Sequence, residues 1–235
     1  PSLAAWDAAL ATGSDALRAR VAALVIENTH NRAGGAAIPA EDCAAVLTCA
    51  RRHGVAAHLD GARLFNAAVA LDTPLDRLAA GFDTVCISLN KGLGAPIGAA
   101  LAGSRARIEA ALVLRQRLGG GIRPTAIFAA AARVALAQWR DAAADHRRAA
   151  DLASGLAALP CFVVRRPAHP TNIVVAETGA ATGRILAELA TRGVAALPFG
   201  QGRIRFVVYR GIDDDDIAHA LAASRAVAAL IGNEP

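Results

Sequence analysis

The 235-residue sequence contains no methionine, one tyrosine, two tryptophans and four cysteines. The absence of methionine is expected of a chain that begins inside a longer reading frame or has been processed. Aromatic residues make up only 4%, too few for a surface that stacks successive bases. Lysine is almost missing: 24 of the 25 basic residues are arginine, scattered through helical text rather than gathered in a stripe. The net charge of +5 therefore suits an anionic small ligand better than a nucleic-acid track. The doublets Arg147-Arg148 and Arg165-Arg166 read as solvated faces. Cys43, Cys49, Cys86 and Cys161 show neither CxxC nor metal-ligand spacing and read as free core thiols of a reducing compartment. No run approaches the roughly 18 uninterrupted apolar residues that span a bilayer. The first residues also lack the basic-then-apolar order of a signal peptide. No nucleic acid, no membrane and a cytoplasmic location are the resulting expectations. Both GxGxxG and GxxxxGK[ST] are absent, which leaves a nicotinamide-dependent oxidoreductase as a weak alternative that tight NAD binding would revive.

Apolar residues supply 54% of the chain, enough core for one large domain or two modest ones. A helix is expected over residues 14–20, followed by a short apolar run at 21–26 that suits a buried parallel strand. Residues 40–53 suit an amphipathic helix ended by His53-Gly54. Further strands are expected at 55–59 and 84–88, with a fourth at 96–101. Strand alternating with helix implies a mostly parallel sheet with right-handed crossovers. Ligands of such sheets bind beyond the carboxyl ends of the strands. The polar clusters 27–31, 60–63 and 88–91 all fall there. Helical, Ala-rich text runs over 104–117 and 124–158, and then the rhythm changes. Strands at 162–164, 173–175 and 204–208 alternate with helices near 182–192 and 213–231, the last capped by Asp213. The expected organisation is an α/β large domain over 1–125, a connecting helix over 126–158 and a small α+β domain over 159–235.

The only lysine, Lys91, follows an apolar run and opens the glycine-rich turn Lys91-Gly92-Leu93-Gly94. Lysine carries the side-chain primary amine that can condense with a carbonyl as a Schiff base. A carboxylate at a neighbouring strand end, Asp60, can hold a protonated pyridine nitrogen. Arginine forks such as Arg63 can take a carboxylate through two parallel hydrogen bonds. Those are the three roles that pyridoxal phosphate chemistry requires. Alone, Asp60 would read as a helix cap and Lys91 as a surface lysine; together with Arg63 they point to function. Arg205, inside an apolar strand, needs an anion or an exit to water. His58 lies on the Asp60 side of its strand by two-residue alternation. His53, His146, His169 and His219 sit in ordinary surface contexts.

Two stretches, His58-Leu59-Asp60-Gly61-Ala62-Arg63-Leu64-Phe65-Asn66-Ala67 and Ser88-Leu89-Asn90-Lys91-Gly92-Leu93-Gly94-Ala95-Pro96, closely resemble segments of the low-specificity L-threonine aldolases. These are members of the aldolase and β-eliminating lyase family of fold-type I pyridoxal phosphate enzymes. Glu27-Asn28-Thr29-His30-Asn31 resembles the family's ENTHN stretch, Gly119-Gly120-Gly121-Ile122-Arg123 its GGGxR segment, and Thr171-Asn172-Ile173-Val174 and Arg205-Phe206-Val207 its TNIV and RFVTH segments. The resemblance implies a fold-type I large domain plus a small C-terminal domain, and cleavage of L-threonine or L-allo-threonine-type β-hydroxy amino acids to glycine and an aldehyde. It further implies that Lys91 holds pyridoxal 5'-phosphate, with Asp60 on the ring nitrogen. Arg63 would lie near the ring oxygen and the substrate carboxylate, Arg205 on that carboxylate, and Arg123 near the phosphate. His30 would lie by the substrate hydroxyl, as general base or as the orienter of a water. A homodimer or homotetramer is implied for the full-length protein. Val208-Tyr209 replaces the end of RFVTH, so no histidine role attaches there.

The family normally carries a substantial portion ahead of residue 1, with a glycine-containing turn for the phosphate and a ring that stacks on the pyridine. Neither is found in this sequence. The large domain is therefore expected to be truncated at its N-terminus, and the chain alone to bind cofactor weakly and turn over little. A catalytically incomplete fragment is the main alternative. A related β-eliminating lyase or racemase activity is another.

Overall fold

The computed structural model describes residues 2–11 and 19–232. The helix expected over 14–20 falls largely on residues that lie outside the described ones. Two compact units divide the chain: Pro1–Thr29 with Ile38–Trp139, and His30–Ala37 with Arg140–Pro235. Residues 30–37, adjacent in sequence to the first unit on both sides, thus belong to the second. Asn28 closes the point where the chain leaves and returns: its Nδ2 donates to the Ile38 carbonyl at 2.9 Å and its Oδ1 accepts from the Ile38 N–H at 3.1 Å.

The first unit contains α1 (Leu3–Leu10), β1 (Ala23–Glu27), α2 (Ala40–Arg52), β2 (Ala56–Gly61), α3 (Leu64–Ala70), α4 (Leu75–Ala79), β3 (Thr84–Ser88), β4 (Ala99–Gly103), α5 (Arg105–Arg117) and α6 (Ala126–Ala137). Its sheet runs β1-β2-β3-β4, the first three parallel and β4 antiparallel. Strand alternation sorts the two faces. Leu24 lies beside Ala57 and Ile26 beside Leu59, all four buried. The opposite face carries the rows Val25, His58, Thr84 and Glu27, Asp60, Cys86. Helix α2 has Glu41 and Asp42 in its first turn and Arg51 and Arg52 in its last, so charge opposes its macrodipole at both ends. It buries Cys43, Leu47, Cys49 and Ala50. All five residues of β4 are exposed, and α5 buries none of its residues.

The second unit contains α7 (Ala142–Ala157), β5 (Val163–Val164), β6 (Ile173–Glu177), α8 (Thr182–Thr191), β7 (Leu197–Pro198), β8 (Arg203–Val207) and α9 (Asp214–Gly232). Its antiparallel sheet, in the order β5-β6-β8-β7, shares one core with the helices: Leu152, Leu156, Val174, Ile185, Leu189, Ile204, Phe206 and Val227. This is the expected α+β arrangement. Asp213 and Asp216 cap α9 reciprocally, each carboxylate accepting the other's backbone N–H at 3.0 Å.

The single helix expected over 126–158 is in fact two, α6 and α7, separated by a 3-10 turn at Trp139–Asp141. Cys86 and Cys161 are half-buried rather than core thiols, whereas Cys43 and Cys49 are buried as expected. No helix among the described residues is long and apolar enough to cross a membrane.

Candidate active site

In the first unit, adjacent parallel strands β2 and β3 bring Asp60 and Lys91 into one neighbourhood. Asp60 is half-buried on the polar sheet face, directly beside Cys86 in the register. Its Oδ1 accepts the Ala62 N–H at 3.1 Å, a local turn that fixes the carboxylate at the strand end. The next residue, Gly61, has no room for a side chain: a Cβ there would lie 2.8 Å from the Cys86 carbonyl oxygen. Lys91 is exposed three residues beyond β3, at the start of a turn closed by the Gly94 N–H donating to the Lys91 carbonyl at 2.9 Å. Gly94 has φ +80, which suits glycine.

Burial pushes the Cys86 thiol above the ordinary range and the Asp60 carboxylate pushes it further, while the Lys91 ammonium pulls it back. Arg63 stands at the start of α3. Arg123 is exposed between α5 and α6. His58 shares a 2.8 Å hydrogen bond with the Thr84 hydroxyl through its Nδ1.

In the second unit, a different group assembles. Arg205 Nη1 donates to Asn31 Oδ1 at 2.7 Å, while its Nε is buried with no hydrogen-bond partner among the described residues. Arg32, Arg203 and Arg205 each place a guanidinium 5.3–5.5 Å from the Phe199 ring centre, within the range of cation–π attraction. An unsatisfied buried guanidinium N–H is costly, and a carboxylate is the group whose shape matches the fork. His30 begins a 3-10 turn and its Nδ1 accepts the Ala33 N–H at 3.1 Å. A nitrogen that accepts carries no proton, so the neutral ring carries its proton on Nε2. Tyr209 is half exposed.

Asn31 and Phe199 were not singled out as site residues from sequence. Asn31 lies within the ENTHN-like stretch, but no pattern foretells that its amide meets Arg205, 174 positions away.

Residues 1–178 match the family model described as "Beta-eliminating lyase". The chain is 37% identical over 205 residues to low-specificity L-threonine aldolase 1 of Arabidopsis thaliana, covering 85% of this chain and 57% of that protein. It is 38% identical over 167 residues to the low specificity L-threonine aldolase of Escherichia coli O157:H7, covering 69% of this chain and 48% of that one. The chain thus spans roughly half the length of these relatives. Among solved structures it is similar to Leishmania major threonine aldolase, with a TM-score of 0.76, 18% identity, and coverage of 96% of this chain and 67% of that one. The fold is accordingly that of fold-type I enzymes. With the family model matching most of its length, the chain belongs to the beta-eliminating lyase family.

Proposed function

We propose that this chain carries the lysine-bearing and carboxylate-binding parts of a pyridoxal 5'-phosphate-dependent aldehyde-lyase, which cleaves L-threonine or L-allo-threonine-type amino acids to glycine and an aldehyde. The observation that carries the reading is the placement of Asp60, beside Cys86 in the register, and of Lys91, three residues beyond β3, at the ends of adjacent parallel strands. Two features support a fit to the cofactor and its amino-acid substrate: that pair, and the buried Arg205 Nε with no partner among the described residues.

Lys91 would supply the amine that holds the cofactor aldehyde, and Asp60 the carboxylate that would keep the ring nitrogen protonated. When bound, pyridoxal phosphate supplies an electron sink for the pair released as the Cα–Cβ bond breaks. Arg205, held by Asn31, takes the substrate carboxylate with its fork. Arg63 would serve the ring oxygen and that carboxylate, and Arg123 would serve the phosphate. His30 has its Nδ1 committed to the Ala33 N–H. It therefore orients the substrate hydroxyl or a water rather than removing the proton itself. The working enzyme is a homodimer or homotetramer in the cytoplasm; exposed Leu112, Val113, Leu114 and Leu118 on and after α5 support association between copies.

Because Lys91 is the only lysine, one labelling experiment tests the assignment. Incubation with pyridoxal phosphate, reduction with borohydride and peptide mapping should place the adduct on Lys91. In the full-length protein, several β-hydroxy amino acids should then yield glycine and an aldehyde, and Lys91→Ala should abolish the yield. An adduct only on the N-terminal amine, or undiminished cleavage by the alanine variant, would defeat the proposal.

A further inference from the structure

A second cluster of chemistry-bearing side chains stands in the first unit, distinct from Asp60 and Lys91. Asp7 of α1 meets the C-terminal turn of α2. Its Oδ1 lies 2.9 Å from His53 Nε2 and 3.2 Å from Cys49 Sγ. The three atoms lie within 4.8 Å of one another. Cys49 and His53 are four residues apart, so α2 presents both on one side. We propose that Asp7, Cys49 and His53 form a binding site for one zinc-class divalent cation.

Three physical arguments carry this. The first is geometry. A tetrahedral zinc, with bonds of about 2.3 Å to sulfur and about 2.0–2.1 Å to nitrogen and oxygen, spaces its donors by about 3.3–3.6 Å. The oxygen–nitrogen and oxygen–sulfur separations need only widen by a few tenths of an ångström to admit the ion. The second is the donor set. One thiolate, one imidazole and one carboxylate suit zinc or cobalt, whereas calcium and magnesium take oxygen ligands. The third is charge. Cys49 lies in the last turn of α2 and His53 is its C-cap residue, where the negative end of the helix dipole favours a cation. The carboxylate and thiolate neutralise the two charges of the ion, and a water completes the fourth position. Cys49 is 1% exposed while Asp7 and His53 are half-buried, so the ion enters from the carboxylate and imidazole side.

Arg52 already places a cation at this position, with its Nη2 3.2 Å from the same Asp7 oxygen. Its side chain is 62% exposed and can swing into solvent. Metal and guanidinium therefore compete. Coordination replaces the thiol S–H with a metal–sulfur bond and releases one proton to the buffer.

The test uses the full chain, freed of metal with a chelator and titrated with cobalt(II). One equivalent should produce the intense thiolate-to-cobalt absorption together with the visible bands of a tetrahedral site, and excess zinc should erase both. Cys49→Ala should lose the charge-transfer band while keeping the native circular dichroism spectrum. His53→Ala should weaken binding at least tenfold. Arg52→Ala should strengthen it several-fold, the opposite of what a simple ion-pair anchor predicts. No thiolate band with the folded chain, or a band that survives unchanged in Cys49→Ala and so belongs to another thiol, overturns the proposal.

Discussion

Single side chains differ in what they do for the proposed reaction, and substitutions should separate them. Asp60→Asn keeps the shape but removes the charge that holds the ring nitrogen protonated; kcat should fall by about 10²–10³, the usual scale for losing one aligned electrostatic partner. Asn31→Ala should act differently. It removes the oxygen that orients Arg205, so KM for the amino acid should rise about tenfold, equivalent to about 1.4 kcal/mol, with a smaller change in kcat. A parallel rise and fall of both constants would argue against a carboxylate-positioning role. His30→Asn keeps a side chain able to accept the Ala33 N–H. With His30 orienting only, kcat should fall by less than about 10², the lower bound for losing a general base; a larger fall would contradict the orienting role.

His146 illustrates what sequence hides at this scale. It reads as an ordinary surface residue, yet burial pulls its imidazole down to about 4. Because the folded-state value lies below the ordinary 6.5, the unfolded chain binds the extra proton first as pH falls. Stability should therefore be full above about pH 6.5 and decline toward pH 4, by up to about 3 kcal/mol on the scale of 1.36 kcal/mol per unit. Asp145 beside it runs the other way, since burial raises its carboxyl. Comparing urea midpoints of the parent and His146→Gln across this window isolates the imidazole; a parallel pair of curves would contradict the assignment.

Secondary elements were legible where their text had one period and clear ends. The apolar run before Glu27 is β1, the one before Asp60 is β2, and Thr84–Ser88 coincides with β3 residue for residue. Their polar ends stand out because a parallel strand is apolar throughout and its terminus is not. The break between α6 and α7 was illegible, because Trp139–Asp141 offers neither glycine nor proline and the flanking alanines favour helix on both sides. Strand β7 spans only Leu197–Pro198, too short for any alternation to appear. The same limits apply to the site. Asp60 and Lys91 end periodic elements and were visible, whereas the Asn31–Arg205 pairing depends on tertiary placement. Cys86 sat inside a strand pattern that gave its face no label. At this scale, Asp213→Ala should remove one half of the reciprocal cap on α9 and lower stability by about 1 kcal/mol, measurable as a shifted denaturation midpoint.

For the whole molecule, exposed apolar surface is concentrated in the first unit. Leu112, Val113 and Leu114 are 46%, 51% and 54% exposed, and Leu118 is 83% exposed. Exposed apolar side chains in this number favour association. Sedimentation of the chain should therefore depend on concentration, and the pair Leu114→Glu and Leu118→Glu should shift it toward monomer; unchanged sedimentation would exclude this surface from self-association. The second unit carries its own dependence, set by residues 30–37. Gly35 has φ +75, and a Cβ there would lie 2.8 Å from Thr171 Oγ1 and 2.9 Å from Ile173 Cβ. The Thr171 hydroxyl donates to the Gly35 carbonyl, and Asn31 meets Arg205. A gene divided after Trp139 would accordingly not yield two self-sufficient polypeptides. The downstream product would be born without eight residues that its own sheet grips, and a synthetic peptide of sequence 30–37 should restore its protease resistance in trans.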